Sequence, residues 1–390
     1  MKEKEKTPLY YGEEACKAIM NTYAPEKLPP SPCFFYHQGV FLSGMQQIYR
    51  LSGKQEYFDY VKAYVDSVIG PNGELMGIDH EWTPANATWH GKRALEYLDC
   101  KQPSILLYDL LDATGDEKYA KVIKRIAESM YYYPVNMHGG YWHMLTQPYQ
   151  MWLDGAYMAG PLLVRYADRF GDDILRERAV KQIFVMDENM KDEKSGLYVH
   201  GWDESKKAEW SDKETGLSKY VWGRALGWYA VAILDVLEYL PENHCAIPKL
   251  KEIERRLLSN LVQYQDTKTG LWFNVVDYPN EPTNWVESSC SNLFIYSYAR
   301  AVRMNIIDKA EFGEVIDKGY QGMIDTLYCD ESGKLIVDNV CIGTCIDSGT
   351  YEHYVGRPRI KNDLHGMGAF VLMCAGLFQH IFVNFCFSFS

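Results

Sequence analysis

The sequence lacks the short motifs that mark the commonest enzyme classes. It contains no GxSxG, HExxH, Walker A or GxGxxG element, which excludes the usual serine-hydrolase, zinc-protease and nucleotide-binding sites. Its ten cysteines form no CxxC pair, and Cys341 and Cys345 have no second pair that would complete a structural zinc site. We therefore interpret the cysteines as reduced core or surface residues.

The chain also lacks an excess of positive charge. It has 390 residues, with 40 Lys plus Arg and 52 Asp plus Glu, for a net charge of −12. Because nucleic-acid binders and anionic-membrane binders need a basic surface, neither is an expected partner. Hydrophobic residues make up 47% of the chain, which excludes a disordered protein. Aromatic residues are abundant, with 30 Tyr and 10 Trp, as suits a stacking surface or a large core with polar edges.

The two ends of the chain lead to separate predictions. The charged start Met1–Lys6 is followed by no apolar segment, so we expect no secretory signal and a cytoplasmic protein. Residues 369–390 are mostly apolar and nearly long enough to span a bilayer. Because polar residues such as Gln379 and His380 interrupt this run, we interpret it as a closing helix buried against the domain rather than a membrane span. The apolar tail over 377–390 is atypical and has no predicted role.

A unit of about sixty residues recurs along the chain. Apolar-periodic helices end at Gly53, Gly115 and Gly171, and each is followed by a second helix. Glycine followed by Lys or Asp is typical of the end of one helix and the start of the next. A glycine–aromatic loop follows each second helix, at Gly73, Gly139, Gly196, Gly270 and Gly333.

About six hairpins of this kind would fill the chain, and they predict its fold class. No run of sequence alternates like a set of strands, which argues against a parallel α/β sheet. Helical hairpins in series form either an open solenoid or a closed ring. We favour the ring, an all-α (α/α)6 barrel that forms a single domain over 1–390, with the loops after the second helices on one face. An open solenoid is the alternative.

Polar residues at one repeat position are candidate site residues. The fourth residue after the loop glycine is His143, His200 or Asn274 in three of the loops. Equivalent positions of a ring should line one rim, so we expect these side chains to converge on a common mouth. Taken singly, each could merely form a hydrogen bond within its own loop.

Two carboxyls are the candidate catalytic residues. Asp154 lies between aromatic residues and a Gly-Ala-Tyr stretch that would leave an open, partly apolar cleft. A carboxyl in such a cleft could have a raised pKa and act as a general acid. Asp99 lies almost one repeat earlier, so the two should be neighbours, and such a pair can divide into one ionised and one protonated group. Either residue could instead only cap a helix.

A third motif combines a guanidinium with an aromatic ring. Arg224 and Trp228 are four residues apart, hence on one helix face, with Gly223 and Gly227 beside them. Arg could hold a carboxylate and Trp could stack on a sugar ring, and the glycines favour a ligand. The alternative is an Arg stacked on Trp to fix a helix. Weaker candidates are 36–39, which opens the inner helix of the first hairpin, 285–289, which could equally cap a helix, and 362–366, for which a helix cap is the alternative.

Together these motifs resemble the unsaturated rhamnogalacturonyl hydrolases of glycoside hydrolase family 105. The matching segments, in the order of the family, are YHQGVFL, LDCKQPS, GGYWHM, PYQMWLDGAYMAGP, GLYVHGWDE, WGRALGWY, GLWFNVVD, NWVESS and KNDLHGMGAF. They cover most of the chain and fade after about Gly376, and residues 78–93 look like an added loop near the cleft.

The resemblance implies an (α/α)6 barrel and a substrate that ends in a Δ4,5-unsaturated galacturonic acid, as left by pectin lyases. It implies hydration of a vinyl ether, with no metal and no organic cofactor. Asp154 matches the catalytic carboxyl of the family, which would protonate C4 and then draw a proton from the water that attacks C5. Asp99 matches a second carboxyl, which would tune Asp154 or place the water.

By the same resemblance, six residues would line the sugar site: Tyr36, His143, His200, Trp222, Arg224 and Trp228. Met144 stands where some family members have a basic residue. The expected partner is a short unsaturated uronide such as a disaccharide, and the expected assembly is a monomer or a weak dimer. A related unsaturated glucuronyl hydrolase is the alternative enzyme, and a non-catalytic carbohydrate-binding toroid is the alternative from another functional class.

Overall fold

Paired helices around a common axis make up most of the protein. The computed structural model describes residues 6–386, apart from the side chains of His90 and of residues 382–386. The inner helices are α2 (Tyr36–Ser52), α4 (Leu106–Thr114), α6 (Gly155–Phe170), α8 (Gly223–Tyr239), α10 (Ser288–Arg303) and α13 (Leu364–Cys386). The outer helices are α1 (Pro8–Met20), α3 (Gln55–Val68), α5 (Glu117–Ser129), α7 (Asp173–Asn189), α9 (Ile247–Leu261) and α11 (Lys309–Asp325). A short helix, α12 (Tyr351–Val355), lies in the loop before α13.

Hydrophobic patterning separates the two layers. In α8 every residue from Gly223 to Leu237 is buried, because this helix has neighbours on all sides. In α5 the buried residues recur every three or four positions, as at Tyr119, Val122 and Ile126, which gives one apolar stripe facing the inner layer. The core therefore lies between the two layers and inside the inner one.

The inner helices close into a ring. Each inner helix packs against its two inner neighbours, and α4 does so together with the 3-10 turn Gln102–Ile105 that precedes it. The last helix, α13, closes the circle by packing against both α10 and α2. Five hairpins pair an inner helix with the outer helix that follows it, whereas the sixth pairs α13 with α1 from the opposite end of the chain. The prediction of a closed (α/α)6 barrel rather than an open solenoid is confirmed. The pairing of the two chain ends is a feature that the repeat did not show.

The predicted helix ends lie where the glycines mark them. Gly53, Gly115 and Gly171 follow α2, α4 and α6 in the left-handed conformation, with φ of 68°, 66° and 76°. The side chains of Asp116 and Asp172 then accept hydrogen bonds from the first turns of α5 and α7. The local signals of the repeat are thus confirmed.

The apolar C-terminal segment forms the last inner helix. By length and composition Leu364–Ile381 is the one stretch of the described chain that could cross a membrane, but 83% of it is buried inside the ring. The prediction of a closing helix is therefore confirmed. α13 continues into the atypical tail, 377–390, as far as Cys386, while residues 387–390 and 1–5 lie outside the described residues.

Short antiparallel ribbons tie the loops together. β1 (Gln150–Trp152) pairs with β2 (Gly201–Asp203), β3 (Tyr328–Cys329) with β4 (Leu335–Ile336), and β5 (Val340–Cys341) with β6 (Arg359–Ile360). In the first ribbon Trp152 is opposite Gly201, and the Leu153 N–H donates to the His200 carbonyl at 2.8 Å. This pairing brings two consecutive repeat loops side by side at the start of α6.

Candidate active site

A cavity opens at the end of the ring where the inner helices begin. Its volume is about 640 Å³, within the range of sites for small organic ligands. Its walls bring together Tyr36, Asp99, His143, Trp152, Asp154 and His365. Trp89, from the segment 78–93 that the sequence marks as an added loop, and Met144 also line it.

Asp154 occupies the N-cap position of α6 but does not use its side chain as a cap. Its backbone is helical, and the carboxyl forms no capping hydrogen bond within the described chain. Oδ1 is buried and has no hydrogen-bond partner among the described residues. Burial, reinforced by the charge of Asp99 and opposed by that of His143, raises the pKa of Asp154 to about 6. This carboxyl can therefore hold a proton much closer to neutral pH than an exposed aspartate.

Asp99 and His143 stand beside Asp154. Asp99 lies within the 3-10 turn Leu98–Cys100, well before α4, so it caps no helix. The Nε2 atom of His143 is 3.3 Å from Oδ1 of Asp99, and the imidazole stacks on Trp152 with ring centroids 4.4 Å apart. Burial alone would lower the pKa of His143, but the charge and contact of Asp99 raise it above its usual value. The repeat spacing thus correctly places the two carboxyls side by side.

His200 approaches Asp154 from the neighbouring loop. Its Nε2 is 3.9 Å from Oδ1 of Asp154, and its Nδ1 is 2.8 Å from the hydroxyl of Tyr354. Burial lowers the pKa of His200 well below its usual value, so the imidazole is neutral at pH 7. It can accept or donate one hydrogen bond but supplies no positive charge.

The side chains at the three repeat positions lie in one row. The Trp222 ring lies between His200, with centroids 4.6 Å apart, and Asn274, whose Oδ1 accepts from Trp222 Nε1 at 3.1 Å. His143 continues the line on the other side of Trp152. The expected convergence on a common mouth holds for His143, which lines the cavity, and not for His200 and Asn274, which are buried beside it. Trp222, also expected in the sugar site, is 2% exposed and is not part of the cavity lining. Which of them contact substrate stays a prediction.

Arg224 is placed differently from the expectation. Its guanidinium is 1% exposed and donates to the carbonyls of Cys341 and Ile342 and to the Ser289 hydroxyl, while its Cζ lies 4.7 Å from the Trp222 ring centre. The fork is therefore occupied by backbone carbonyls and is not turned towards a substrate carboxylate. Arg224 instead fixes the loop that forms one wall of the cavity, because the residues that follow Cys341 line it.

Trp228 also departs from its predicted role. It is 1% exposed, and its ring face is covered by Tyr157, with centroids 4.3 Å apart and an interplanar angle of 18°. A Cβ at Gly227 would come within 2.7 Å of Leu293. The glycines of this motif make room for α10 rather than for a ligand. Trp228 is a core residue below the cavity.

Some residues of the cavity, and Tyr354 behind it, were missed or undervalued by sequence reasoning. Trp152 lies within the quoted motif before Asp154, but nothing marked its side chain for stacking on a histidine. Tyr354 follows no repeat position, so only the fold brings it to His200. His365 was a weak candidate beside the start of α13, yet its Nε2 is 2.5 Å from the hydroxyl of Tyr36. Tyr36 itself lines the cavity as expected.

One group of side chains in the described chain is close enough to share a metal ion. Single ligand atoms of Asp99, His143 and Asp154 all lie within 4.8 Å of one another. A proton on Asp154 and the contact between His143 and Asp99 use the same lone pairs that a metal would need. The arrangement therefore suits acid–base chemistry, and the absence of a metal or organic cofactor stays a prediction.

Comparison with protein families assigns the chain. Residues 11–379 match the family model described as Glycosyl Hydrolase Family 88, which is nearly the whole length. The chain belongs to glycosyl hydrolase family 88. The prediction that this family 88 protein is a glycoside hydrolase is thereby confirmed.

The relatives of this family 88 chain refine the assignment. It is 24% identical over 292 residues to the unsaturated rhamnogalacturonyl hydrolase YesR of Bacillus subtilis (strain 168), covering 73% of the chain and 75% of YesR. A glycoside hydrolase from family 105 of C. acetobutylicum ATCC 824 has a TM-score of 0.86 at 26% identity, covering 94% of this chain and 98% of that one. The unsaturated glucuronyl hydrolase of Bacillus sp. GL1 shares the fold, with a TM-score of 0.70 at 13% identity, covering 95% and 96%. The resemblance to family 105 is confirmed, and the chain is grouped with the unsaturated uronyl hydrolases of families 88 and 105.

Proposed function

We propose that this family 88 enzyme releases a Δ4,5-unsaturated galacturonic acid from the non-reducing end of rhamnogalacturonan fragments of pectin by hydrating the double bond. The observation that carries the proposal is Asp154, a buried carboxyl in the cavity with a pKa raised to about 6. Such a group can deliver a proton near neutral pH. The likeness to YesR supports the choice of rhamnogalacturonan.

Asp154 would act twice in one turnover. Its proton goes to C4 of the vinyl ether, and the loss of the π electrons leaves oxocarbenium-like charge shared by C5 and the ring oxygen. The Asp154 carboxylate then takes a proton from the water that attacks C5, which restores the acid. The hemiketal formed at C5 opens by cleavage of its bond to the ring oxygen, and the hemiacetal left at C1 releases the saturated sugar.

Burial keeps the proton on Asp154, and two charged neighbours adjust this effect. The charge of His143 lowers the pKa of Asp154, and the smaller contribution of Asp99 raises it. Because His143 also contacts Asp99, the strength of the acid depends on all three groups together. This arrangement supports a tuning role for Asp99.

An anionic sugar can bind a protein of net charge −12 when recognition is local. Three of the inner helices, α2, α6 and α13, begin at the cavity, and each helix start carries about half a positive charge. His143, whose pKa is raised, adds to this positive field, whereas the fork of Arg224 is bound to the backbone. We therefore assign recognition of the substrate carboxylate to the helix starts and His143.

A second candidate is release of an unsaturated glucuronic acid from other lyase products. Galacturonic and glucuronic acid differ only at C4, and C4 loses its configuration when the double bond forms. The unsaturated ring is therefore the same in both substrates, and discrimination must come from the leaving sugar and its linkage. Met144 lines the cavity in place of a basic residue, and the shared fold of the Bacillus sp. GL1 enzyme supports this alternative.

A non-catalytic binding toroid is less well supported. A buried carboxyl oxygen that lacks a hydrogen-bond partner among the described residues, as in Asp154, costs stability. A protein that only binds sugar has no need for this cost, whereas a general acid depends on the environment that causes it.

The test is direct hydration of a defined substrate. We expect the purified protein to abolish the ultraviolet absorbance of the conjugated double bond in unsaturated rhamnogalacturonan disaccharide and to release rhamnose. Unsaturated chondroitin disaccharide, assayed in parallel, tests the second candidate. Asp154→Asn is the control for contaminating activity. If the absorbance falls with neither substrate, both candidates are contradicted.

Location and assembly are further proposals. We propose a cytoplasmic enzyme because the nine cysteines whose side chains the structure describes are all free, as is usual in a reducing compartment. A monomer or weak dimer is the expected assembly. Cell fractionation and light scattering on a size-exclusion column check the two statements.

A further inference from the structure

Three hydrogen-bonded side chains line the same cavity as the carboxyl pair. Oδ1 of Asp363 accepts from the backbone N–H of His365 at 3.0 Å and also bonds its ring Nδ1. The other ring nitrogen, Nε2, is 2.5 Å from the hydroxyl oxygen of Tyr36. All three residues line the cavity, and their order is carboxylate, imidazole, phenol.

The surroundings determine where the protons lie. Burial alone would raise the pKa of Asp363, but His365 and the charge of Arg224 bring it below its usual value, so Asp363 is ionised and can only accept. Nδ1 of His365 therefore carries a hydrogen. Burial lowers the pKa of His365 despite the opposing charges of Asp363 and Glu287, so the ring is neutral and Nε2 is a lone pair. The Tyr36 hydroxyl must donate to it.

The hydroxyl of Tyr36 is thereby fixed in one orientation. Burial raises the pKa of Tyr36 well above its usual value against the opposing charge of Arg224, with smaller raising contributions from Asp99, Asp154 and Asp363, so it remains a phenol. With its hydrogen held by His365, the oxygen presents only lone pairs to the cavity.

We propose that Asp363 and His365 orient the Tyr36 hydroxyl so that the negative end of its dipole faces the positive charge that develops at C5 and the ring oxygen during hydration. The inference rests on the proposed function, and it adds two positioning residues to that site. A dipole that is already aligned needs no reorganisation when charge appears, which is the source of its effect in a dry site. The ionised carboxylate of Asp363, behind the imidazole of His365, strengthens the dipole of the Tyr36 hydroxyl in the same direction. No proton has to move along the line.

A purely structural role would be a bond between the starts of α2 and α13. Packing already supplies such a link, since the Tyr36 and His365 rings have centroids 5.1 Å apart and His37 packs 4.1 Å from His365. Replacing Tyr36 by phenylalanine keeps these ring contacts and removes only the hydroxyl. A positioning role therefore predicts a lower kcat in this variant, whereas a purely structural role predicts a lower thermal midpoint.

The experiment compares four variants on the unsaturated disaccharide. Tyr36→Phe is expected to lower kcat by about 10²–10³-fold, the usual effect of one oriented polar group, with a KM and thermal midpoint close to wild type. His365→Leu should match that loss. In His365→Gln the side-chain oxygen can take the place of Nε2 as acceptor, so most of the activity should return. Tyr131→Phe, which removes a hydroxyl bonded to Asp172 outside the cavity, should keep wild-type kcat.

Two further readouts separate the inference from the proposed function. The double variant Tyr36→Phe/His365→Leu should lose no more activity than either single variant, because both changes remove the same oriented dipole. Nitrogen NMR of His365, assigned by difference from His365→Gln, should show the Nδ1–H tautomer at pH 7. The Nε2–H tautomer or an imidazolium would overturn the orientation even if no substrate were known. If the wild type is active and Tyr36→Phe keeps the wild-type kcat, the inference is overturned and the proposed function is not affected. If the wild type is inactive, the proposed function is contradicted.

Discussion

The two ends of the ring differ in their charged side chains. Three carboxyls near helix starts line the large cavity, namely Asp99, Asp154 and Asp363, and Glu287 caps the start of α10. Where the same helices finish, Arg50, Arg165, Arg300 and Arg303 line a smaller cavity of about 100 Å³. These carboxyls and arginines follow the helix dipole, which favours negative groups at the starts and positive groups at the ends, whereas Asp235 and Glu238, which also line the smaller cavity, do not.

The two ends differ in how those charges are satisfied. At the helix ends Arg300 is bonded to Asp235 and Glu238. At the helix starts Asp154 leaves one buried oxygen without a hydrogen-bond partner in the described chain, although its N-cap position offers backbone N–H groups. One end of the ring therefore holds the paired charges of Arg300, Asp235 and Glu238, which stabilise the fold, and the other holds a carboxyl whose proton is available for chemistry.

The largest expected effect is loss of turnover at the cavity end. Asp154→Asn should lower kcat on the order of 10³–10⁴-fold, because the group serves as both acid and base. Its pKa is raised from 3.8 to about 6, so the folded state binds the proton more tightly than the unfolded chain does. Wild type thus loses stability as the pH rises from 4 to above 6, and the variant does not.

Calorimetry at two pH values checks this sign. Near pH 4 the thermal midpoints of wild type and Asp154→Asn should nearly coincide, and at pH 8 the variant should have the higher midpoint. A lower midpoint for the variant at pH 8 would mean that the Asp154 carboxylate stabilises the fold, and the contrast between the two ends would then be wrong.

At the opposite end the main effect should be on stability. Arg300 is 5% exposed, so Arg300→Met leaves Asp235 buried and unpaired, at a cost of about 3–5 kcal/mol in the free energy of unfolding. We expect kcat per folded molecule to stay at the wild-type value. Urea titration measures the loss, and adding Asp235→Asn should recover part of it. A fall in kcat with no change in stability would break the division of roles.

A smaller effect is expected on the pH profile. Since the charge of Asp99 raises the pKa of Asp154, Asp99→Asn should lower that pKa and move the alkaline limb of kcat/KM to lower pH. Because only protonated Asp154 reacts, the rate at pH 7 should fall in proportion to the protonated fraction, about tenfold when the pKa is lower by one. Asp112→Asn, a surface carboxyl paired with Arg169, is the matched control. An unchanged profile in Asp99→Asn would remove its tuning role.

The smallest effect should come from the rim of the cavity. Trp89 is 52% exposed and lines the outer part of the cavity, where a leaving sugar would lie. Trp89→Ala should raise KM by about 3–10-fold, as expected for loss of one aromatic contact, with little change in kcat or thermal midpoint. The ratio of kcat/KM for rhamnogalacturonan and chondroitin disaccharides should change. Equal loss for both would show that Trp89 does not contact the leaving sugar.

Sequence analysis succeeded where the information is local or repeated. Helix ends at Gly53 and Gly115 depend on a single residue each, and the neighbourhood of Asp99 and Asp154 follows from the repeat period. It failed at Arg224 because the carbonyl of Cys341, which it binds, is 117 residues away in a loop outside the repeat. A guanidinium next to a tryptophan has the same local pattern whether its partner is a substrate or the backbone.

The packing of α13 against both α1 and α2 has a consequence for synthesis of the chain. Tyr36 and His365 are 329 residues apart and yet share a hydrogen bond, so the cavity wall forms only after the last inner helix has left the ribosome. Until then the apolar inner faces of α2 and α10 lack their neighbour, which makes a partial chain prone to aggregation. A chain that stops before α13 should be inactive. A circular permutant that joins α1 to α13 and opens an outer loop elsewhere should still form the whole site.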